Sequence, residues 1–298
     1  MESLWLGETA CHDPSRAGGK AASLSRLSAR HHVPPGFCIP ASVHARWMQQ
    51  EIRPEFPPAD LLTGLADAYR VLSERCDEAE PAVAVRSSAT DEDGATASFA
   101  GQYETILNVR GAEAIAVAML ECWAAARSAR VAHYRRLQGM PGAGALLPIL
   151  VQQLICADVS AVVFSANPVT GNRGEIIVNS SWGLGDSIVG GHVTPDSFVI
   201  RRSDYALIER VIARKRRMTV PNDGPRAGGT HQVDVPTCLQ HVPSLDDAQV
   251  LEVARLATML EAEVGAPVDV ECAAAGRTLY LLQCRPITTL VREGGERA

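Results

Sequence analysis

The chain has 298 residues, 46% of them hydrophobic and 21% charged, with a formal net charge of −6. This is the composition of a globular chain long enough to bury a core and to divide into two lobes. The acidic balance excludes a generally basic surface for nucleic acid or anionic membrane, so any anion site has to be local.

In chain order, Met1 to Gly7 lacks the basic start and long apolar run of a signal peptide. No apolar stretch is long enough to span a bilayer. The expectation is a cytoplasmic chain with no nucleic-acid and no membrane partner. Gly18-Gly19-Lys20 runs into a segment with Ala21, Leu24 and Leu27 on one helical face. That spacing predicts Gly-Gly-Lys at a helix N-terminus. Val33-Pro34-Pro35-Gly36-Phe37 reads as a turn into the next element. Val83 to Val85 is an apolar strand that enters Arg86 and a run of hydroxyls. Ala112 to Gln138 reads as a long helix with Ile115, Met119, Trp123 and Ala126 as its apolar stripe, broken by Pro141 to Gly144.

Pro148 to Ile155 reads as a buried strand, and Asp158 to Ser165 as an alternating one. Glu175 to Asn179 and Ser197 to Arg202 are further strands, with the turn Trp182-Gly183-Leu184-Gly185 between them. Arg214 to Arg217 is a short basic run, and Asn222 to Gly229 a loop. Ser244 reads as an N-cap with Asp247 at the capping-box position, opening a helix to Glu263 that stops at Gly265. Val268 to Cys272 and Thr278 to Cys284 close the chain as a hairpin around Gly276. Mixed helices and strands make this an α+β chain. The lobe boundary falls near Gln153, which gives an N-terminal lobe of residues 1–153, a C-terminal lobe of 154–290 and a flexible tail of 291–298.

Three clusters could carry chemistry. Around Arg86-Ser87-Ser88-Ala89-Thr90 and Ser98 to Gln102, small residues and Gly101 let backbone N–H groups approach an anion, and arginine adds a fork suited to phosphate. The same residues would also suit a polar surface loop. Lys20 after Gly-Gly is a phosphate grip in outline, although no G-x-x-x-x-G-K-[ST] is present, and taken alone a solvated lysine is the better reading. In the last hairpin, Asp269 and Glu271 share one strand face, and Gln283 and Arg285 share a face of the next. Hard oxygens there suit Mg²⁺ completed by water and phosphate, with arginine neutralising charge. An exposed cross-strand salt bridge is the alternative.

Gln152, Gln153, Leu154 and Ile155 offer strand-edge backbone that could hold a purine, or an ordinary core strand. Thr194-Pro195-Asp196 reads as a cleft lining or a simple turn. The eight cysteines form no C-x-x-C pair and read as buried or inert thiols. The histidines show no metal spacing and read as structural.

Taken in order, these segments resemble a known family. The carriers are Gly18 to Leu24, Val33 to Phe37, Arg86 to Thr90 and Ser98 to Gln102. Asn167-Pro168-Val169-Thr170-Gly171, Trp182 to Gly185, Thr194 to Asp196 and Leu282-Gln283-Cys284-Arg285-Pro286-Ile287-Thr288 complete the set. The series is similar to the N-terminal nucleotide-binding domain of pyruvate phosphate dikinase, phosphoenolpyruvate synthase and rifamycin phosphotransferase. The resemblance implies an ATP-grasp fold, in which two lobes hold ATP between them.

It further implies that Lys20, Arg86 and Arg285 contact the phosphates as the catalytic cations. Ser98, Gly101 and Gln102 would belong to a loop over them, and Gln152 to Ile155 would form the adenine hinge. Glu271 and Gln283 would be the Mg²⁺-side residues, with Asp269 at the adjoining acidic position. Lys215 falls near a basic stretch of the family. Cys272 stands where a tryptophan is common. The family's carrier histidine and acceptor barrel are not found, so the expectation is an ATP- and Mg²⁺-dependent phosphotransferase half-enzyme. Its acceptor would be a histidine on a separate carrier protein, or less directly a small molecule. An ATP-grasp ligase that activates a carboxylate, and a nucleotide-binding subunit without turnover, stay open as alternatives.

Overall fold

The computed structural model describes residues 2–49, 57–90, 104–128, 133, 146–224, 228–288 and 290. The chain forms two compact units. One comprises Met1–Cys156 with Val220–His231, the other Ala157–Thr219 with Gln232–Ala298. Mixed helix and sheet in both fits the α+β class expected from the sequence.

The first unit is built on a five-stranded sheet in the order β1-β2-β5-β3-β4. Its strands are β1 (Leu4–Trp5), β2 (Gly36–Ile39), β3 (Val83–Ser87), β4 (Thr105–Val109) and β5 (Ile149–Gln153), and all neighbours run antiparallel. Both faces of this sheet are covered, so β2 and β3 are buried at every position. Phe37 and Ile39 enter a core with residues of α2 (Ala41–Met48), α3 (Ala59–Cys76) and α4 (Ala112–Ala125). Cys38, which alternates with them, donates its thiol to the Ala17 carbonyl of α1 (Pro14–Leu27). Leu61, Leu65, Ala68 and Leu72 carry the helical spacing of α3, an element absent from the sequence reading, as is α2. The helix expected to reach Gln138 is seen as Ala112–Ala125; residues 129–140, His133 apart, lie outside the described residues.

His44 is structural, as expected of an isolated histidine. It is buried, stacks near Trp47 and Trp123, and accepts the Leu147 N–H at Nδ1 over 3.0 Å. Trp123 Nε1 donates to the Leu147 carbonyl at 2.8 Å. Both backbone groups of Leu147 are thus tied down where the chain enters β5.

The second unit carries a six-stranded antiparallel sheet in the order β13-β12-β6-β7-β8-β9. Its strands are β6 (Val159–Phe164), β7 (Glu175–Trp182), β8 (Asp196–Arg201), β9 (Leu207–Val211), β12 (Val268–Ala275) and β13 (Thr278–Pro286). The helix α5 (Asp247–Val264) buries Val250, Val253, Ala254, Ala257 and Leu260 and contacts β6, β7 and β12. A ribbon of β10 (Arg217–Pro221) and β11 (Thr230–Asp234) was not foreseen. Its tip groups with the first unit, where the buried Asn108 amide donates to the carbonyls of Asn222 (3.1 Å) and Gly229 (2.9 Å).

Two sequence expectations need correction in this unit. The N-cap of α5 is Asp246, with Gln249 completing the capping box, rather than Ser244 with Asp247. Ser244 is buried instead, and both its N–H and its hydroxyl donate to Oδ2 of Asp196. Lys215, within the short basic run, is fully buried, and its ammonium meets Oδ1 of Asp196 at 2.5 Å. The Ala213 N–H donates to the same oxygen at 3.0 Å. Asp196 therefore lies neither in a cleft lining nor in a simple turn; it ties together the start of β8, the segment before β10 and the approach to α5.

Gly18 decides how α1 meets the sheet. Its φ of 76° breaks the helix, so a second helical segment begins behind it. A Cβ at this position would lie 1.5 Å from the Ser88 carbonyl oxygen. Only glycine tolerates both the angle and the approach.

Two stability outcomes follow from these contacts. Gly18→Ala should lose about 1–3 kcal/mol from backbone strain alone, and more from displacing Ser88, seen as a fall in the thermal midpoint. A variant that melts with the parent protein would contradict the close approach. Asp196→Ala strands a buried ammonium and should cost about 3–5 kcal/mol. Amide exchange of β8 and α5 should accelerate accordingly, and unchanged protection there would show that Lys215 finds another partner.

Candidate nucleotide-phosphate site

Two half-sites carry the residues singled out in the sequence, one in each unit. In the first unit, β3 lies between β5 and β4, with Arg86 opposite Leu150 and Thr105. Arg86 is a buried residue, so this strand spends an interior position on a guanidinium. The strand then leaves the sheet through Ser87 and Ser88, and there the Gly-Gly-Lys turn of α1 is bonded to it. The Gly19 N–H donates to the Ala89 carbonyl at 3.0 Å. The Ala21 N–H donates to Ser88 Oγ at 3.1 Å, and that hydroxyl donates to the Ala17 carbonyl at 2.9 Å. Lys20 Nζ donates to the Ser87 carbonyl at 3.2 Å. Lys20 thus stands in the first turn behind the break, one residue along the strand from Arg86.

This bonding answers a question the sequence left open. The Arg86 to Ala89 stretch is no loose surface loop: Arg86, Ser87, Ser88 and Ala89 are all buried. Ser88 is the positioning group that sequence reasoning missed. It was visible as one hydroxyl in a run, but nothing near it in sequence indicates a partner 67 residues away. Ser98, Gly101 and Gln102, expected in a loop over the phosphates, lie outside the described residues.

The segment from Gln152 to Ile155 differs from its sequence reading in one respect. β5 is the central strand of the sheet, so Gln152 is paired with Gly36 on one side and Ala84 on the other. Its amide side chain donates to the Pro34 carbonyl at 3.2 Å. The N–H groups of Gln153 and Leu154 donate to the carbonyls of Pro35 and Ala82. At Gln152 and at the N–H groups of Gln153 and Leu154, therefore, the backbone is not a free edge.

In the second unit the hairpin of β12 and β13 turns at Gly276, whose φ is 58°. Its register pairs Asp269 with Arg285 and Glu271 with Gln283. The pleat then places all four on one face. Val268, Val270 and Cys284 on the opposite face are buried, on the sheet that α5 packs against. A register shift follows directly after Glu271, as at a β-bulge. Arg285 donates from Nε (3.0 Å) and Nη2 (2.6 Å) to the same Asp269 oxygen, Oδ2. The side chains of this pair keep only 21% and 11% of their exposure, so it is not the exposed salt bridge considered above. Burial pushes the Asp269 carboxyl up from its ordinary value, while Arg285 pulls it back and Glu271 adds to the rise.

Among the described residues, no three histidine, cysteine or acidic side chains cluster as a metal cage. The hairpin offers one carboxylate and one amide oxygen side by side, which leaves most of a cation's shell to other ligands. No disulfide links the eight cysteines, and Cys156 and Cys238 are exposed. Among the described residues, no helix is long and apolar enough to cross a membrane.

Comparison with known proteins shows the family. Residues 45–298 match the family model described as pyruvate phosphate dikinase, AMP/ATP-binding domain. A protein of Methanocaldococcus jannaschii named probable phosphoenolpyruvate synthase is 33% identical over 98% of this chain and 27% of its own length. One of the same name from Pyrococcus horikoshii is 42% identical over 78% of this chain and 29% of its own. A Bacillus subtilis protein named uncharacterized phosphotransferase YvkC is 36% identical over 92% of this chain and 34% of its own. The chain therefore spans about a third or less of the length of these relatives. With both half-sites inside the matched span apart from Gly18 to Ala21, the chain belongs to the pyruvate phosphate dikinase AMP/ATP-binding domain family.

Proposed function

We propose that the chain binds ATP with Mg²⁺ in an ATP-grasp arrangement and transfers a phosphoryl group to a histidine on a carrier protein or carrier domain. Residues 1–153 act as the N-terminal lobe and 154–290 as the C-terminal lobe. Lys20 and Arg86 contact the phosphates from the first, Arg285 from the second, and Gln152 to Ile155 border the adenine. Ser98, Gly101 and Gln102 complete the phosphate contacts. The observation that carries this reading is the hairpin register, which sets a carboxylate–amide pair one step from a carboxylate-anchored guanidinium.

The donor chemistry suits the metal. Mg²⁺ keeps several waters and takes one or two protein oxygens beside substrate phosphates. Glu271 and Gln283, paired across the hairpin, would hold it in this way. The metal when bound offsets charge on the phosphate oxygens. The protein's own part is positioning: three cations gathered where negative charge builds on the bridging oxygen as its bond to the transferred phosphorus breaks and it departs with the nucleotide, with no covalent intermediate on this chain. The relatives named synthase and phosphotransferase favour this over a carboxylate-activating ligase.

The test uses the full chain with labelled ATP, Mg²⁺ and a purified phosphohistidine carrier domain. Acid-labile label on the carrier, with AMP or ADP resolved by chromatography, is the expected product. ADP that forms only with a carboxylic acid and a nucleophile, and without any protein acceptor, would move the chain to the ligase class. Glu271→Ala and Arg285→Ala should each lower turnover about 100-fold or more. Lys20→Ala should do the same while leaving the melting temperature near that of the parent. Full turnover in the Glu271 and Arg285 variants would remove the hairpin from the site.

A further inference from the structure

Asp269 and Arg285 face each other across β12 and β13, and their contact is unusual in form. A carboxylate and a guanidinium of this kind often meet fork to fork, two oxygens against two N–H groups. Here Nε and Nη2 both converge on Oδ2. Oδ1 is buried and has no hydrogen bond. The guanidinium is planar, so engaging its Nε–Nη2 edge fixes the whole group about its long flexible stem. It also turns the Nη1 side away from Asp269.

A purely stabilising role explains this poorly. A buried ion pair is weak evidence for stability, because desolvation offsets the attraction. An acceptor left unpartnered adds to the cost. The contrast lies in the same unit: Asp196 has hydrogen bonds on both oxygens, as a structural carboxylate should.

We propose that Asp269 is a positioning residue: it holds Arg285 in one orientation, ready to receive a nucleotide phosphate on its Nη1 side, and acts on the nucleotide only through Arg285. This rests on the reading above, in which Arg285 contacts phosphate. It separates the two carboxylates of β12, since Glu271 then meets the metal side and Asp269 does not. Pre-ordering the arginine means that phosphate binding does not have to restrict its torsions, which raises affinity without adding a contact.

The experiment is a mutant cycle read by MgATP affinity, with an independent readout on the nucleotide-free protein. Asp269→Asn keeps the shape and removes the charge. It should weaken MgATP binding about 10-fold, a loss in line with that of outer-shell partners at metal sites. In an Arg285→Met background the same change should cost nothing further, within about 2-fold. The Mg²⁺ concentration needed for half-maximal binding should not move between Arg285→Met and the double variant. In the nucleotide-free parent, the Arg285 Nε–Hε resonance should be resolved and slow to exchange, and Asp269→Asn should abolish that protection.

Losses that add in the double variant, or a raised Mg²⁺ requirement there, would show Asp269 meeting nucleotide or metal itself and overturn the inference. An unprotected Nε–Hε in the parent overturns it without any variant, so a substitution that fails to fold does not shield it. A parent chain that binds no MgATP would instead sink the nucleotide reading, and this inference with it.

Discussion

A β-strand presents alternate side chains to opposite faces, and an antiparallel partner copies that choice position by position. The last hairpin places polar groups two apart on both strands and closes them with a tight glycine turn. Asp269, Glu271, Gln283 and Arg285 can then only gather on one face, while Val270 and Cys284 go to the other. A slip of one residue would turn the acid and amide toward the face that α5 packs against and the apolar pair away from it, which that packing opposes. The site is thus held in place by hydrophobic burial on the reverse side of the same strands. The first unit reaches the same end by another device, the missing side chain at Gly18, which lets one backbone rest on another and brings Lys20 to the strand of Arg86.

Two acid–base pairs of the second unit, Asp196–Lys215 and Asp269–Arg285, differ in how the carboxylate is satisfied. Asp196 accepts from Lys215, from Ala213 and twice from Ser244, which leaves it no further capacity of note. It joins three stretches distant in sequence. Asp269 has one oxygen doubly engaged and the other without a hydrogen bond. Its partner stands beside a carboxylate–amide pair rather than in the core. Satisfaction of hydrogen-bonding capacity, more than burial or distance, distinguishes the two.

Sequence reasoning reached the hairpin because its logic is local: period-two spacing, a glycine turn and oxygen-bearing side chains. It reached Gly-Gly-Lys for the same reason. It did not reach Ser88 or Lys215, since what defines each is a partner far along the chain. A lysine within Arg214-Lys215-Arg216-Arg217 looks solvated until Asp196 is folded onto it. The N-cap was misplaced by two residues because Ser244 offers a good capping hydroxyl, yet that hydroxyl is claimed by the buried aspartate and Asp246 takes its place. The central position of β5 was hidden too: an apolar run tells that a strand is buried, not which strands flank it. By contrast α3 was legible in Leu61, Leu65, Ala68 and Leu72, and its omission was a failure to count the period.

Lys20 and Arg285 are each anchored by groups of their own unit. Lys20 is seated on the Ser87 carbonyl, and Arg285 on the Asp269 carboxylate. Electrostatic catalysis depends on charges that do not have to reorganise when the reaction occurs. A lysine or arginine on the surface loses much of its effect to screening and to its own freedom. Backbone carbonyls and a desolvated carboxylate remove that freedom at different expense. A neutral carbonyl holds the lysine without itself offsetting its charge. The carboxylate orients the arginine but offsets part of its charge. The two anchoring modes suit a lysine that supplies charge and an arginine that supplies direction.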